Sequence, residues 1–365
     1  MTKTGFIYDE RFLEHSAGRQ IYAGADCGEE FDSPLRLVHT KRLLDALEIT
    51  PRLTPLGFTA ASDQQLLRAH SADYLASLAA RCTAAGETII QLGDDARGGS
   101  ATERTARLAA GAACAAVDAV LQGQVDNVYA LIRPSGHHAS RDFSMGYCYY
   151  NNAVVAARHA QAVYGLERVA IIDWDVHHGN GSQALCYDDP SVLFVSLHEE
   201  DNYPQDGGAS DEAGEGAGLG YNLNLPLPAG TGNKGYLAAF DEIVLPVLHH
   251  YRPQLILISA GQDANAYDPL GRMRLTRDGY TALAARLKTL AEQVCDGRLV
   301  ALQEGGYSLP YLPIATLGVI EGLSGQVSDF VDPHHFPARS IAPQERTALD
   351  ALRQSHARYW PTLTE

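Results

Sequence analysis

Five short and almost uninterrupted apolar runs, at 128–132, 169–172, 192–197, 255–258 and 299–302, are each soon followed by Gly, Asp, His or Pro. A strand that is apolar on both faces belongs inside a sheet covered on both sides, the environment of parallel strands. Between the runs lie Ala- and Leu-rich stretches with helical spacing, at 101–121, 153–164, 236–250 and 276–294. This alternation predicts an α/β fold, a doubly wound and mostly parallel sheet flanked by helices. No repeat, low-complexity linker or composition break divides the chain, so a single domain over 1–365 is expected. The Gly-rich stretch 207–220 is the longest loop candidate, and 331–365, where the strand signal fades, is expected to form a C-terminal helical cover.

Composition narrows the partners. With 28 Lys+Arg against 44 Asp+Glu the net charge is −16, whereas a protein that tracks nucleic acid needs basic side chains to neutralise phosphates. No nucleic-acid partner is expected. Apolar runs fall far short of the ~20 residues of a membrane span, and the first residues lack the apolar core of a secretory signal. A cytoplasmic protein with no membrane partner is expected. The six cysteines, Cys27, Cys82, Cys114, Cys148, Cys186 and Cys295, are scattered without a Cys-x-x-Cys pair, which predicts free thiols rather than a disulfide framework or a thiolate zinc site.

The residues that end the apolar runs are the informative ones. Arg133-Pro134-Ser135-Gly136-His137-His138 follows the first, Asp173-Trp174-Asp175-Val176-His177-His178-Gly179-Asn180-Gly181 the second, Ser259-Ala260-Gly261-Gln262-Asp263 the fourth and Gln303-Glu304-Gly305-Gly306-Tyr307 the fifth. Ligands of open parallel sheets bind at the carboxyl ends of strands, so these segments should converge on one crevice. Asp175 and His177 are two residues apart and point to one side of an extended chain, and Asp263 could join them. Two carboxylates and an imidazole suit Zn²⁺ or Fe²⁺, and three protein ligands leave a position open for water and substrate. Taken singly, each of these residues could merely cap a turn after a strand, and the His137-His138 pair could be structural. Beside a metal, an imidazole can move a proton and the Tyr307 phenol can donate to a developing oxyanion.

The set RPSGHHA, GYCYYNN, DWDVHHGNG, SLHE, AGQDANAYDPLG and QEGGY resembles the zinc-dependent histone deacetylase family of the arginase/deacetylase superfamily, in particular its class II-like branch of bacterial histone-deacetylase-like amidohydrolases. The resemblance runs over about residues 5–325. It implies that Asp175, His177 and Asp263 hold zinc, that Asp173 orients His137, that Asn180 partners His138, and that Tyr307 supplies the oxyanion hydroxyl. Class I members carry Asp where this chain has Asn180. The resemblance further implies tunnel walls from Tyr147 and Tyr203, with Gly146 at the floor and Leu270 at the rim. Tyr147 stands where Phe is more usual. Asp95 is placed where the family grips the substrate backbone, and Asp173, Asp175, His177, Ser196 and Leu197 match a structural K⁺ site. Ser33-Pro34-Leu35-Arg36-Leu37 echoes the family's HPExPxRL segment.

The implied activity is hydrolysis of N-ε-acyl-lysine in a peptide or protein, or of an acetylated small amine. Acetylpolyamine amidohydrolase is the alternative, and a non-catalytic acyl-lysine binding module a further one. The eukaryotic polyamine-specific member has Glu where this chain has Leu270, and the net charge of −16 suits any cationic substrate. The ureohydrolases of the superfamily need two more Asp residues where this chain has Gly179 and Asn265. The oligomeric state, a homo-oligomer included, is left open by the sequence.

Overall fold

The computed structural model describes residues 2–22, 25–205 and 207–364, the side chains of 20–22 and 25–27 excepted. Its centre is an eight-stranded sheet in the order 222–227, 192–199, 169–173, 255–260, 299–303, 127–130, 4–7, 54–55. Every pairing in it is parallel. The predicted runs are its inner strands: Val169–Asp173, Leu255–Ala260 and Leu299–Gln303 are buried along their whole length, as two covered faces require.

Helices lie between the strands where the spacing placed them, at Thr102–Leu121, Asn152–Tyr164 and Arg277–Val294. The 236–250 stretch is broken instead: helix Asn233–Ala239 runs through a π-helical turn, Phe240–Val244, into helix Leu245–Tyr251. Pro246 lacks an N–H and its ring crowds the carbonyl four residues back, which favours a wider turn there. Two small antiparallel hairpins, Arg19–Tyr22 with Ala25–Glu29 and Ile90–Gly93 with Ala96–Gly98, stand apart from the main sheet. Beyond residue 331 the chain runs irregularly before helix Pro343–Ala357. Five cysteines are free and buried, and the Cys27 side chain lies outside the described residues. No helix among the described residues is long and apolar enough to cross a membrane.

One buried histidine ties the fold to pH. His70 Nδ1 donates to the Ser140 carbonyl at 2.8 Å while Nε2 accepts the Asn151 N–H at 2.9 Å, and Asn151 itself caps the helix at Val154. Both ring nitrogens are satisfied only while the ring is neutral. Burial pulls His70 down from 6.5 to about 4, and burial does the same to His15. Below pH 6.5 the unfolded chain takes up these protons and the folded chain does not, so stability present above pH 6.5 is lost as pH falls toward 4. The slope is at most about 1.4 kcal/mol per pH unit for each group. The stability that neutral His70 contributes is therefore expected to shrink between pH 7 and pH 5, so His70→Gln should cost less in urea midpoint at pH 5 than at pH 7. An equal cost at the two pH values, followed by fluorescence, would contradict neutral burial of His70.

Candidate active site

The chain leaves strand Val169–Asp173 outward to Val192–Glu199 and Asn222–Leu227, then returns to its other side for Leu255–Ala260 and Leu299–Gln303. The crevice of a doubly wound sheet opens where strand order reverses in this way. Asp173 lies in register beside Ser259, so the loops after these two strands start side by side. They bring Asp175, His177 and Asp263 together, with ligand atoms within 4.8 Å of one another and all three side chains buried.

His177 Nδ1 lies 3.0 Å from Asp175 Oδ1 and 3.3 Å from Asp263 Oδ2. Asp263 Oδ1 accepts the Val176 N–H at 2.7 Å. Asp263 Oδ2, fully buried, has no hydrogen bond within the described residues. Burial first, and then the charge of Asp175, pushes the Asp263 carboxyl above its ordinary value. A buried pair of carboxylates against one imidazole calls for a cation. The backbone is shaped to the same end, because a Cβ on Gly305 would sit 2.0 Å from Asp263 Oδ2 and 2.6 Å from Asp175 Oδ2. An unsatisfied oxygen, a mixed carboxylate and imidazole donor set and a glycine cradle thus fit a divalent metal.

The two tandem histidines have different partners. His137 Nδ1 donates to Asp173 Oδ2 at 2.9 Å. Burial opposes a charge on this ring, but Asp175 and Asp173 overcome it and raise His137 to about 10. His138 Nδ1 donates to Asn180 Oδ1 at 2.7 Å, an amide with no full charge to give. Burial, followed by the two neighbouring imidazoles, holds His138 well below 6.5. The rings stand 3.9 Å apart, so a charge on His137 discourages one on His138. The two rings therefore differ in partner, a carboxylate for His137 and an amide for His138.

Above them opens a cavity of about 920 Å³ whose lining includes His138, Gly146, Tyr147, His177, Tyr203 and Tyr307, together with Leu270 and Asp95. Tyr203 stands edge-on to His138 with ring centres 5.3 Å apart, and Tyr147 lies 5.9 Å from Tyr307. Gly146 has φ +51°, and a Cβ there would strike His138 Cδ2 at 2.4 Å, so only glycine lets this loop pass the histidine. Of the positions expected from sequence, His138, His177, Tyr307, Gly146, Tyr147, Tyr203, Leu270 and Asp95 line this cavity; Asp175 and Asp263 lie against His177, and Asp173 and Asn180 hydrogen-bond to the tandem histidines. Ser196, beside Asp173 in register, and Leu197 lie buried on the next strand, where Ser196 Oγ shares a hydrogen bond with His198 Nδ1 at 2.9 Å.

Other lining residues escape a reading of strand ends. Glu30, Phe31, Gln91 and Arg97 come to the rim from the hairpins and the segment after them, and Asn202 from beyond strand Val192–Glu199. Arg97 Nη1 reaches Glu30 Oε1 at 3.2 Å. Arg36 is fully buried behind Tyr307, its guanidinium 4.8 Å from the ring centre, and donates to the Gly306 carbonyl at 2.6 Å. Glu304 Oε2 accepts the N–H groups of Gly136 at 2.6 Å and His137 at 3.3 Å. His137, Cys148 and Glu304 form a second buried cluster of potential ligands. Burial drives the Cys148 thiol well above its ordinary value, which keeps it protonated and a poor ligand.

Fold and site together define a deacetylase of the arginase-type α/β architecture. The Histone deacetylase domain profile matches residues 31–323, and the chain belongs to that family. It is similar to a histone deacetylase-like amidohydrolase of Pseudomonas aeruginosa, 45% identical over 342 residues, covering 91% of this chain and 88% of the relative. A polyamine deacetylase of Mus musculus is 35% identical, over 99% of this chain and 54% of its own length. The crystal structure of the HDA15 HD domain superposes with a TM-score of 0.89 at 33% identity, covering all of this chain and 96% of that one. The protein is a deacetylase, a hydrolase from a metal-dependent family.

The glycine cradle gives a direct check. Gly305→Ala places a methyl group against two carboxylate oxygens and is expected to abolish stoichiometric metal binding measured by calorimetry. Full binding by that variant would mean that the carboxylates do not meet around a cation.

Proposed function

We propose that the protein removes acetyl or longer acyl groups from N-ε-acyl-lysine, with Asp175, His177 and Asp263 holding Zn²⁺ or Fe²⁺. The observation that carries this reading is the buried Asp263 Oδ2 without a hydrogen bond, at the base of an aromatic-walled cavity. When bound, such a cation polarises an amide carbonyl and lowers the pKa of water from 15.7 toward about 7. Asp173, Asp175, His177, Ser196 and Leu197 would in addition offer hydroxyl and carbonyl oxygens to a structural K⁺.

The remaining work belongs to side chains of this chain. His138 faces the cavity and is held neutral, so it takes the proton of the attacking water and later delivers one to the leaving amine. His137 and Asp173 form the orienting and electrostatic pair beside the negative charge that grows during attack. The Tyr307 hydroxyl, which burial raises well above 10 and so keeps protonated, donates to the developing oxyanion. Tyr147 and Tyr203 sandwich the aliphatic stem and exclude water, which strengthens each polar contact beneath. Asp95 at the rim holds the substrate backbone. The likeness to a polyamine deacetylase supports a second reading, an acetylated polyamine or other small amine as substrate. Leu270 brings no charge to the rim that would select it. The cytoplasm is the proposed location.

Rates on acetyl-lysine peptides, longer acyl-lysines and acetylpolyamines, with metal content measured on the same preparation, test the assignment. A chelator is expected to abolish activity and Zn²⁺ to restore it; undiminished activity after complete metal removal would refute the reading. Tyr307→Phe should retain metal and lose about 10²–10³ in kcat, the usual cost of one oxyanion donor. Tyr203→Ala should raise KM for acyl-lysine several-fold, and an unchanged KM would show that other residues wall the tunnel.

A further inference from the structure

Tyr307 follows Gly305 and Gly306, whose backbone is held by Asp175 and Arg36, and Gly306 has φ +119°, a conformation that glycine adopts without strain. The backbone N–H of the tyrosine itself is held by a carboxylate from another loop. Asp268 Oδ2 accepts the backbone N–H of Tyr307 at 2.7 Å and that of Ser308 at 3.1 Å. Asn265 Nδ2 donates to the same oxygen at 3.2 Å and steadies it. The other oxygen, Oδ1, accepts the N–H of Leu270 at 3.1 Å. Asp268 is buried, 8% exposed, and its named hydrogen bonds run to these two loops and to Asn265.

We infer that Asp268 is a positioning residue for Tyr307, a buried strut that joins the rim loop at Leu270 to the loop presenting the phenol. The assignment rests on the proposed role of Tyr307. Hydrogen bonds from two amides to one carboxylate are charge-assisted and stronger than neutral ones. Oxyanion stabilisation depends on a donor held in place before the charge develops, and small misplacement costs rate. Loss of the strut therefore acts on kcat. The metal cluster keeps its separate ties, because Gly305 N–H donates to Asp175 Oδ2 at 2.8 Å and Val176 N–H to Asp263 Oδ1 at 2.7 Å.

The test is a double-mutant cycle on the metal-loaded enzyme with an acetyl-lysine peptide, using Asp268→Asn, Tyr307→Phe and the pair. Asp268→Asn alone should lower kcat about ten-fold or more with KM within about two-fold and metal stoichiometry unchanged. In the Tyr307→Phe background the same change should cost little, since groups acting through one another are not additive. Amide hydrogen exchange should show protection lost at Tyr307 and Ser308 while Gly305 stays protected. Equal losses in both backgrounds, or unchanged protection of those two amides, overturn the assignment. An inactive metal-loaded wild type overturns the proposed function and this role together, whereas an active wild type with additive losses overturns this role alone. Should Asp268→Asn not fold, Asn265→Ala, which removes the amide that steadies Oδ2, takes its place in the cycle under the same criteria.

Discussion

Two carboxylates that cannot reach water meet over a glycine, and much of the molecule serves to keep them there. Asp175 and Asp263 come from loops after neighbouring parallel strands, and their separation is set by the register that puts Asp173 beside Ser259. Such a pair costs free energy unless a cation and hydrogen bonds compensate it. The hydrogen bonds are present, from Val176, His177 and Gly305 amides. The missing Cβ of Gly305 supplies the room.

From that constraint the electrostatics of the rest of the site follow. Asp175 and Asp173 push the His137 ring upward against its burial, whereas burial and the neighbouring imidazoles push His138 down. Two chemically identical side chains, adjacent in the chain, are thereby shifted in opposite directions. Asn180 in place of a carboxylate preserves the distinction, since it orients His138 without adding a negative charge that would favour its protonation. Behind Tyr307, Arg36 places its guanidinium against the ring and ties down the Gly306 carbonyl.

Five of the inner strands were legible because burial on both faces writes itself into the chain as a continuous apolar run, as at 255–258; the inner strand Thr4–Ile7, TGFI, is too short and too polar at its start to carry that mark. Edge strands were not legible either. Asn222–Leu227 reads NLNLPL, an alternating pattern with Pro226 tolerated because an edge strand has one unpaired side, and Thr54–Pro55 is too short to carry any pattern. The catalytic motifs were legible because each is a compact polar cluster directly after an apolar run. Glu30 carries no such local mark, and Arg36 and Asp268, though they lie in the stretches SPLRL and AGQDANAYDPLG, show their roles only through what they meet across space.

By itself the sequence determined the alternating parallel architecture, the polar clusters at the strand ends and the residue types available for metal and proton chemistry, since these depend on local periodicity and side-chain chemistry. Tertiary structure alone decided which atoms of those clusters meet. It left Asp263 Oδ2 without a hydrogen bond, gave the two histidines a carboxylate and an amide as partners, brought two distant hairpins to the cavity and ran one buried carboxylate from Leu270 to Tyr307. Those outcomes are set by strand order, register and burial, which are properties of contacts between segments far apart in the chain and have no signature within any one of them.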